Sequence, residues 1–183
     1  MNLVDALRVI EQWLAVHAPV TYETLQPGLT ATEIERLSDR LGLEVLPELA
    51  TLLSWHDGAR RTDAAFQIWT DFQLSSSQEM YESWALNNLV ARRNQSTQWN
   101  AHWIPIATDV GGNYLVIDHT KQPTRSSVFR VDMVDGKDNR FAWRQLTDLV
   151  DQVRNALTMG AALNLDPRTN SGRDGVPEIE DAL

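Results

Sequence analysis

The stretch His102–Asp118, HWIPIATDVGGNYLVID, decides how the chain folds. Two arms of alternating apolar residues flank Gly111-Gly112, and a Gly-Gly pair supplies the positive φ that a two-residue hairpin turn requires. With that pair at the turn, Ile104, Ile106, Leu115 and Ile117 share one face of the hairpin, and Trp103, Ala107, Tyr114, Val116 and Asp118 share the other. Downstream, Ser127–Met133 (SVFRVDM) reads as another strand, followed by a turn at Asp135-Gly136. Upstream, Phe66–Phe72 (FQIWTDF) alternates in the same way and reads as one more.

Helices surround this sheet region. Leu3, Leu7, Ile10 and Leu14 recur at helical spacing, which predicts an amphipathic helix over residues 2–17 ended by Pro19. Thr30-Ala31-Thr32-Glu33 is a capping box ahead of Ile34, Leu37 and Leu41, with Gly42 as the C-cap. Pro47 suits the first turn of a third helix carrying Leu49, Leu52 and Leu53, and Gly58 is expected to end it. Ser76-Ser77-Gln78-Glu79 repeats the capping box and opens a helix to Val90 along Met80, Trp84 and Leu89. Arg92–Asn100 is polar and reads as a loop holding Trp99. A last helix is expected from Trp143 to Leu157 through Leu146, Leu149, Val150 and Val153. Helices first, a meander next and a helix last give an α+β fold, a mixed or largely antiparallel sheet with flanking helices. We expect one domain over residues 1–165. Residues 166–183, DPRTNSGRDGVPEIEDAL, have few apolar side chains and are expected to form a flexible acidic tail.

Composition narrows the function. The 183 residues contain no cysteine, which excludes thiol nucleophiles and thiolate metal sites and suits a reducing compartment. The N-terminus MNLVDALRVIEQWL lacks a basic leader, and no apolar run reaches the ~20 residues that span a bilayer. A cytoplasmic protein is expected. A net charge of −9 argues against nucleic-acid or anionic-membrane binding. Residues 1–58 carry nine acidic and three basic side chains, residues 59–165 eleven of each, and residues 166–183 five and two. The excess at the N-terminal end is either a solvated surface or one matched to a basic partner.

Catalytic signatures are missing: there is no phosphate loop, H-E-x-x-H, G-x-S-x-G or G-x-G-x-x-G. His102 and His119 would meet at the open end of the hairpin, but spacing suggests no third ligand. No metal or cofactor is expected. A hydrolase built on scattered carboxylates stays a remote alternative, since no acid–base pair stands out. Tryptophan does stand out, with seven residues. Trp69, Trp99 and Trp103 lie on or beside strands, where an exposed indole would anchor a partner, as would Tyr114 on the Trp103 face. In the Thr30 helix Glu35 and Asp39 are four apart and share a face, so they join the candidate protein-binding residues.

The run Thr32-Glu33-Ile34-Glu35 through Leu41-Gly42, then Leu46-Pro47-Glu48-Leu49, Leu52-Leu53 and His56-Asp57-Gly58, resembles the SUKH superfamily. So does a second block, Trp103-Ile104-Pro105-Ile106-Ala107, Asp109, Gly112-Asn113, Leu115 and Ile117-Asp118. The resemblance covers residues 1–160; the tryptophan-rich middle and the acidic tail depart from it. The namesake members are Smi/Knr-type cell-wall-assembly regulators, and bacterial members are commonly immunity proteins that neutralise a polymorphic toxin. The resemblance therefore implies a non-enzymatic protein-binding role, with a toxin domain as partner, or an endogenous partner if the protein is a regulatory scaffold; the acidic balance of residues 1–58 makes a basic toxin domain the expected partner. A monomer or weak homodimer is expected.

Overall fold

Alternation puts apolar side chains on both faces of the central hairpin, so both faces need a cover, and the computed structural model shows two unequal ones. It describes residues 2–120 and 126–160. The N-terminal elements are α1 (Leu3–His17), a single turn α2 (Pro19–Tyr22), β1 (Leu25–Pro27), α3 (Ala31–Leu41), α4 (Pro47–Trp55) and β2 (His56–Ala59). The Thr30 capping box forms as expected: Thr30 N–H donates to Glu33 Oε2 at 2.8 Å, and Gly42 closes the helix in the left-handed region. Gly58 does not end α4. The helix stops at Trp55 because His56 is already extended, and Gly58 lies inside β2, which pairs antiparallel with β1.

The sheet follows as β3 (Gln67–Trp69), β4 (Phe72–Leu74), then α5 (Ser77–Asn94), β5 (Trp103–Thr108), β6 (Tyr114–Asp118), β7 (Val128–Asp132), β8 (Gly136–Trp143) and α6 (Leu146–Met159). FQIWTDF is two strands. The chain reverses at Thr70-Asp71, where Asp71 takes φ 63°, a conformation Asp tolerates better than most residues. Helix α5 runs on past Val90 to Asn94, and Leu89 faces solvent. Strand β8 has no clear alternation, and Trp143 is its last residue rather than the start of a helix. Six strands form one antiparallel sheet in the order β3-β4-β5-β6-β7-β8.

The Gly-Gly pair is part of a longer loop, Asp109–Asn113, and of the two only Gly112 has positive φ. Asn113 N–H and Nδ2 both donate to the Asp109 carboxylate at 2.8 Å, so the side chains shape this loop. Ile104 pairs with Ile117, as the alternation required. An irregularity between Pro105 and Ala107 sets Ala107 opposite Leu115, which moves it onto the helix-covered face. That face packs Ile104, Ile106, Leu115 and Ile117 against Leu7 and Ile10 of α1, Leu49, Leu52 and Leu53 of α4, and Leu149, Val150 and Val153 of α6. Such burial is the main stabilising term in a domain of this size. The boundary at Leu165 and the tail 166–183 lie outside the described residues.

Helix α6 has no capping side chain of its own. Glu48 supplies one from α4: its carboxylate accepts from Leu146 N–H at 3.1 Å, Thr147 N–H at 3.3 Å and the Thr147 hydroxyl. Two orphan donors and the positive helix end are satisfied by a residue almost a hundred positions away. Glu48→Ala should therefore cost about 1–2 kcal/mol. Thermal unfolding should shift down by roughly 3–8 °C, with Glu48→Gln retaining part of the loss. An unchanged melting temperature would remove this cap from the account.

Candidate protein-binding surface

The second face of the sheet carries a smaller buried cluster, with the end of α5 beside it. Val116, Phe129 and Val131 are buried there beneath Trp99, Trp103 and Tyr114. The rings meet edge to face: Trp99–Trp103 at 5.8 Å, Trp99–Tyr114 at 6.1 Å and Trp103–Phe129 at 5.0 Å. Lys137 of β8 sets its ammonium 3.7 Å from the Phe129 ring centroid. The loop carrying Trp99 is seated by Gln98, whose side chain lies over Gly136 at the start of β8. Three of the four predicted aromatic anchors are thus brought together, half-buried. Beside them a cavity of about 180 Å³ opens between the end of α5 and β7, lined by Val90, Asn94, Trp99 and Met133 among others. Trp99 Nε1 is buried there with no hydrogen-bond partner among the described residues.

Trp69 is not with them. It is 3% exposed, on the opposite face, where its ring meets Trp143 edge to face at 4.9 Å. The reversal at Asp71 turns the indole inward, so Trp69 is a core residue and not an anchor.

Glu35 and Asp39 project from α3 into solvent, and neither makes an ion pair among the described residues. Arg40 lies next to Asp39 and five residues from Glu35, so it shares a face with neither, and it is drawn to α5. Its guanidinium sits 4.0 Å from the Tyr81 ring centroid and donates to Gln78 Oε1 at 2.9 Å. The other acidic cluster is spoken for. Asp132 and Asp138 both pair with Arg130, and Asp138 also with Arg140. Backbone N–H groups of Val134 and Asp135 hold the Asp132 carboxyl below its ordinary value, and the Arg140 guanidinium does the same for Asp138. No contact links Glu35 or Asp39 to the aromatic face among the described residues, so the predicted set divides into an acidic helix and an aromatic sheet face.

His102 and His119 do meet at the open end of the hairpin, where His119 N–H donates to the His102 carbonyl at 2.9 Å. Burial pushes the His119 imidazole below its ordinary pKa and favours the neutral ring. No group of three or more metal-ligating side chains gathers among the described residues. Nor is any described helix long and apolar enough to cross a membrane.

Sequence reasoning missed the exposed apolar side chains. Val110, Met133 and Val134 stand out at one end of the sheet, on the β5–β6 and β7–β8 turns, which Met133 N–H joins by donating to Asn113 Oδ1 at 3.2 Å. Leu86, Leu89 and Val90 stand out on α5. Leu86 and Val90 fall off the expected Met80–Trp84–Leu89 stripe, which was the available signal, and Leu89 was expected inside it.

The family model described as the SMI1 / KNR4 family (SUKH-1) matches residues 28–152. The match starts ahead of α3 and ends within α6, so α1 lies outside it. It takes in the α3 cap, the His56-Asp57-Gly58 run and the whole six-stranded sheet. No curated protein matches the chain.

Proposed function

This chain belongs to the SMI1 / KNR4 family (SUKH-1), whose members are protein-interaction domains, and on that premise we propose that it is a non-enzymatic immunity protein that binds a basic toxin domain. The observation that carries the reading is the pair Glu35 and Asp39. Two carboxylates on one exposed helix face repel each other by a few tenths of a kcal/mol, and nothing in the described fold uses them. Several other polar residues of the two family blocks are used by the fold itself. Asp57 accepts from Ser77 N–H at 2.6 Å at the start of α5, Glu48 caps α6, and Asp109 with Asn113 builds the β5–β6 loop. Specificity is then left to α3 and to the aromatic face around Trp103 and Tyr114.

Complementary charge of this kind mainly raises the association rate. Reversing both residues, as Glu35→Lys with Asp39→Lys, should slow association with the partner about tenfold or more at low salt. The salt dependence should flatten, and the melting temperature should stay near that of the unmodified protein. An unchanged on-rate across a salt series removes α3 from the interface. The partner itself is found by pull-down and by a neighbouring toxin or secretion gene. A deletion phenotype in the absence of any toxin would turn the reading toward a regulator of an endogenous protein.

A further inference from the structure

Helix α5 is inside out over its second half. The residues turned inward there include Asn87 and Asn88, which are buried and spend their amide donors on the Ser83 and Trp84 carbonyls at 2.9 Å. The residues turned outward are Leu86, Leu89 and Val90, exposed to 58, 46 and 43%. A helix that served only to cover its own domain would carry the opposite pattern. Single exposed leucines need no explanation, but three side by side on two turns form a contiguous apolar patch.

The charges around the patch say what fits it. Reading along the outer face, Glu82, Leu86, Leu89 and Arg93 follow one another at spacings of four, three and four, the seam of a two-helix packing. All four are exposed. The order acid–Leu–Leu–base is symmetric about the midpoint between Asn87 and Asn88. When two copies of this helix run antiparallel across a two-fold axis at that midpoint, Leu86 meets Leu89, Glu82 meets Arg93, and the small Ala85 meets the larger Val90. Neither Glu82 nor Arg93 makes an ion pair among the described residues.

We propose that α5 is a self-association face: two copies of this chain pack α5 antiparallel on α5, with Leu86 and Leu89 at the centre and Glu82–Arg93 pairs at both ends. The seam spans roughly 16 Å of helix. That is less than a standard protein interface, so the dimer should be weak, half-formed on the order of 100 µM.

Sedimentation over a concentration series tests this with the full chain. The unmodified protein should rise from monomer toward dimer mass as concentration increases. Glu82→Arg alone sets arginine against arginine, and Arg93→Glu alone sets acid against acid; each should lower self-association about tenfold. Mixing the two single variants should restore dimer mass, since each then faces its opposite, and so should the double variant. Leu86→Glu should abolish the dimer at an unchanged melting temperature. A chain that stays monomeric at every concentration overturns the proposal, as does a mixture no more associated than its components. Loss of partner binding in Leu86→Glu with no change in the chain's own mass overturns it too, and assigns the patch to another protein.

Discussion

Gly58→Ala should remove a large part of the protein's stability. Gly58 sits in β2 at φ +75°, where an L side chain already costs about 1–2 kcal/mol. Space is the larger obstacle. A Cβ at Gly58 would stand 2.4 Å from Ser76 N and 2.5 Å from Ser75 C, both backbone atoms. Those atoms cannot shift without cost, because Ser75 N–H donates to the Ile106 carbonyl at the end of the β4–β5 pairing and Ser76 caps α5. Strain and overlap together should cost about 3–5 kcal/mol, a large part of the ~5–15 kcal/mol by which domains are stable. Gly42 provides the control. It too has positive φ, +63°, but nothing lies within 4 Å of its missing Cβ. Gly42→Ala should cost only about 1 kcal/mol. Denaturant titration of the two variants separates the cases; equal midpoints would mean that close approach at Gly58 does not matter.

Trp69→Ala is expected to cost about 3–5 kcal/mol of stability, as large-to-small changes of a buried aromatic do. Its ring packs on Trp143, which is itself fixed by an Nε1–H donation to Gln152 Oε1 at 2.9 Å. Removing Trp69 therefore loosens the contact between the β3–β4 hairpin, β8 and α6. The near-ultraviolet dichroism of the paired indoles should fall with it. Below the lowered melting temperature, association with a partner should keep its unmodified rate, because Trp69 reaches neither α3 nor the aromatic face. A slowed association in a fully folded variant would return Trp69 to the binding residues.

Much of the fold was legible because its signals are local. Thr30 and Ser76 with glutamates three residues later form caps from short-range bonds alone, and both capping boxes are present in the structure. Two-residue alternation in His102–Asp118 grouped Trp103, Tyr114 and Val116 correctly, but it put Ala107 on the wrong face, because the irregularity after Pro105 is invisible to it. Composition determined that no thiol chemistry is available. The same local reading failed where a distant segment decides. It could not see that Asp71 reverses FQIWTDF and turns Trp69 inward, since one left-handed residue outweighs an unbroken alternation. It could not see that β2 continues straight out of α4, because Gly58 resembles a helix stop until β1 and the Ser75–Ser76 backbone close around it. Glu48 as the cap of α6 was hidden for the same reason, the partners being far apart in the chain. On α5 the sequence determined a helix and its start, but only tertiary packing decided which side faces the sheet. Packing turned Asn87 and Asn88 inward, with their amides satisfied by the turn before them, and left Leu86, Leu89 and Val90 in water.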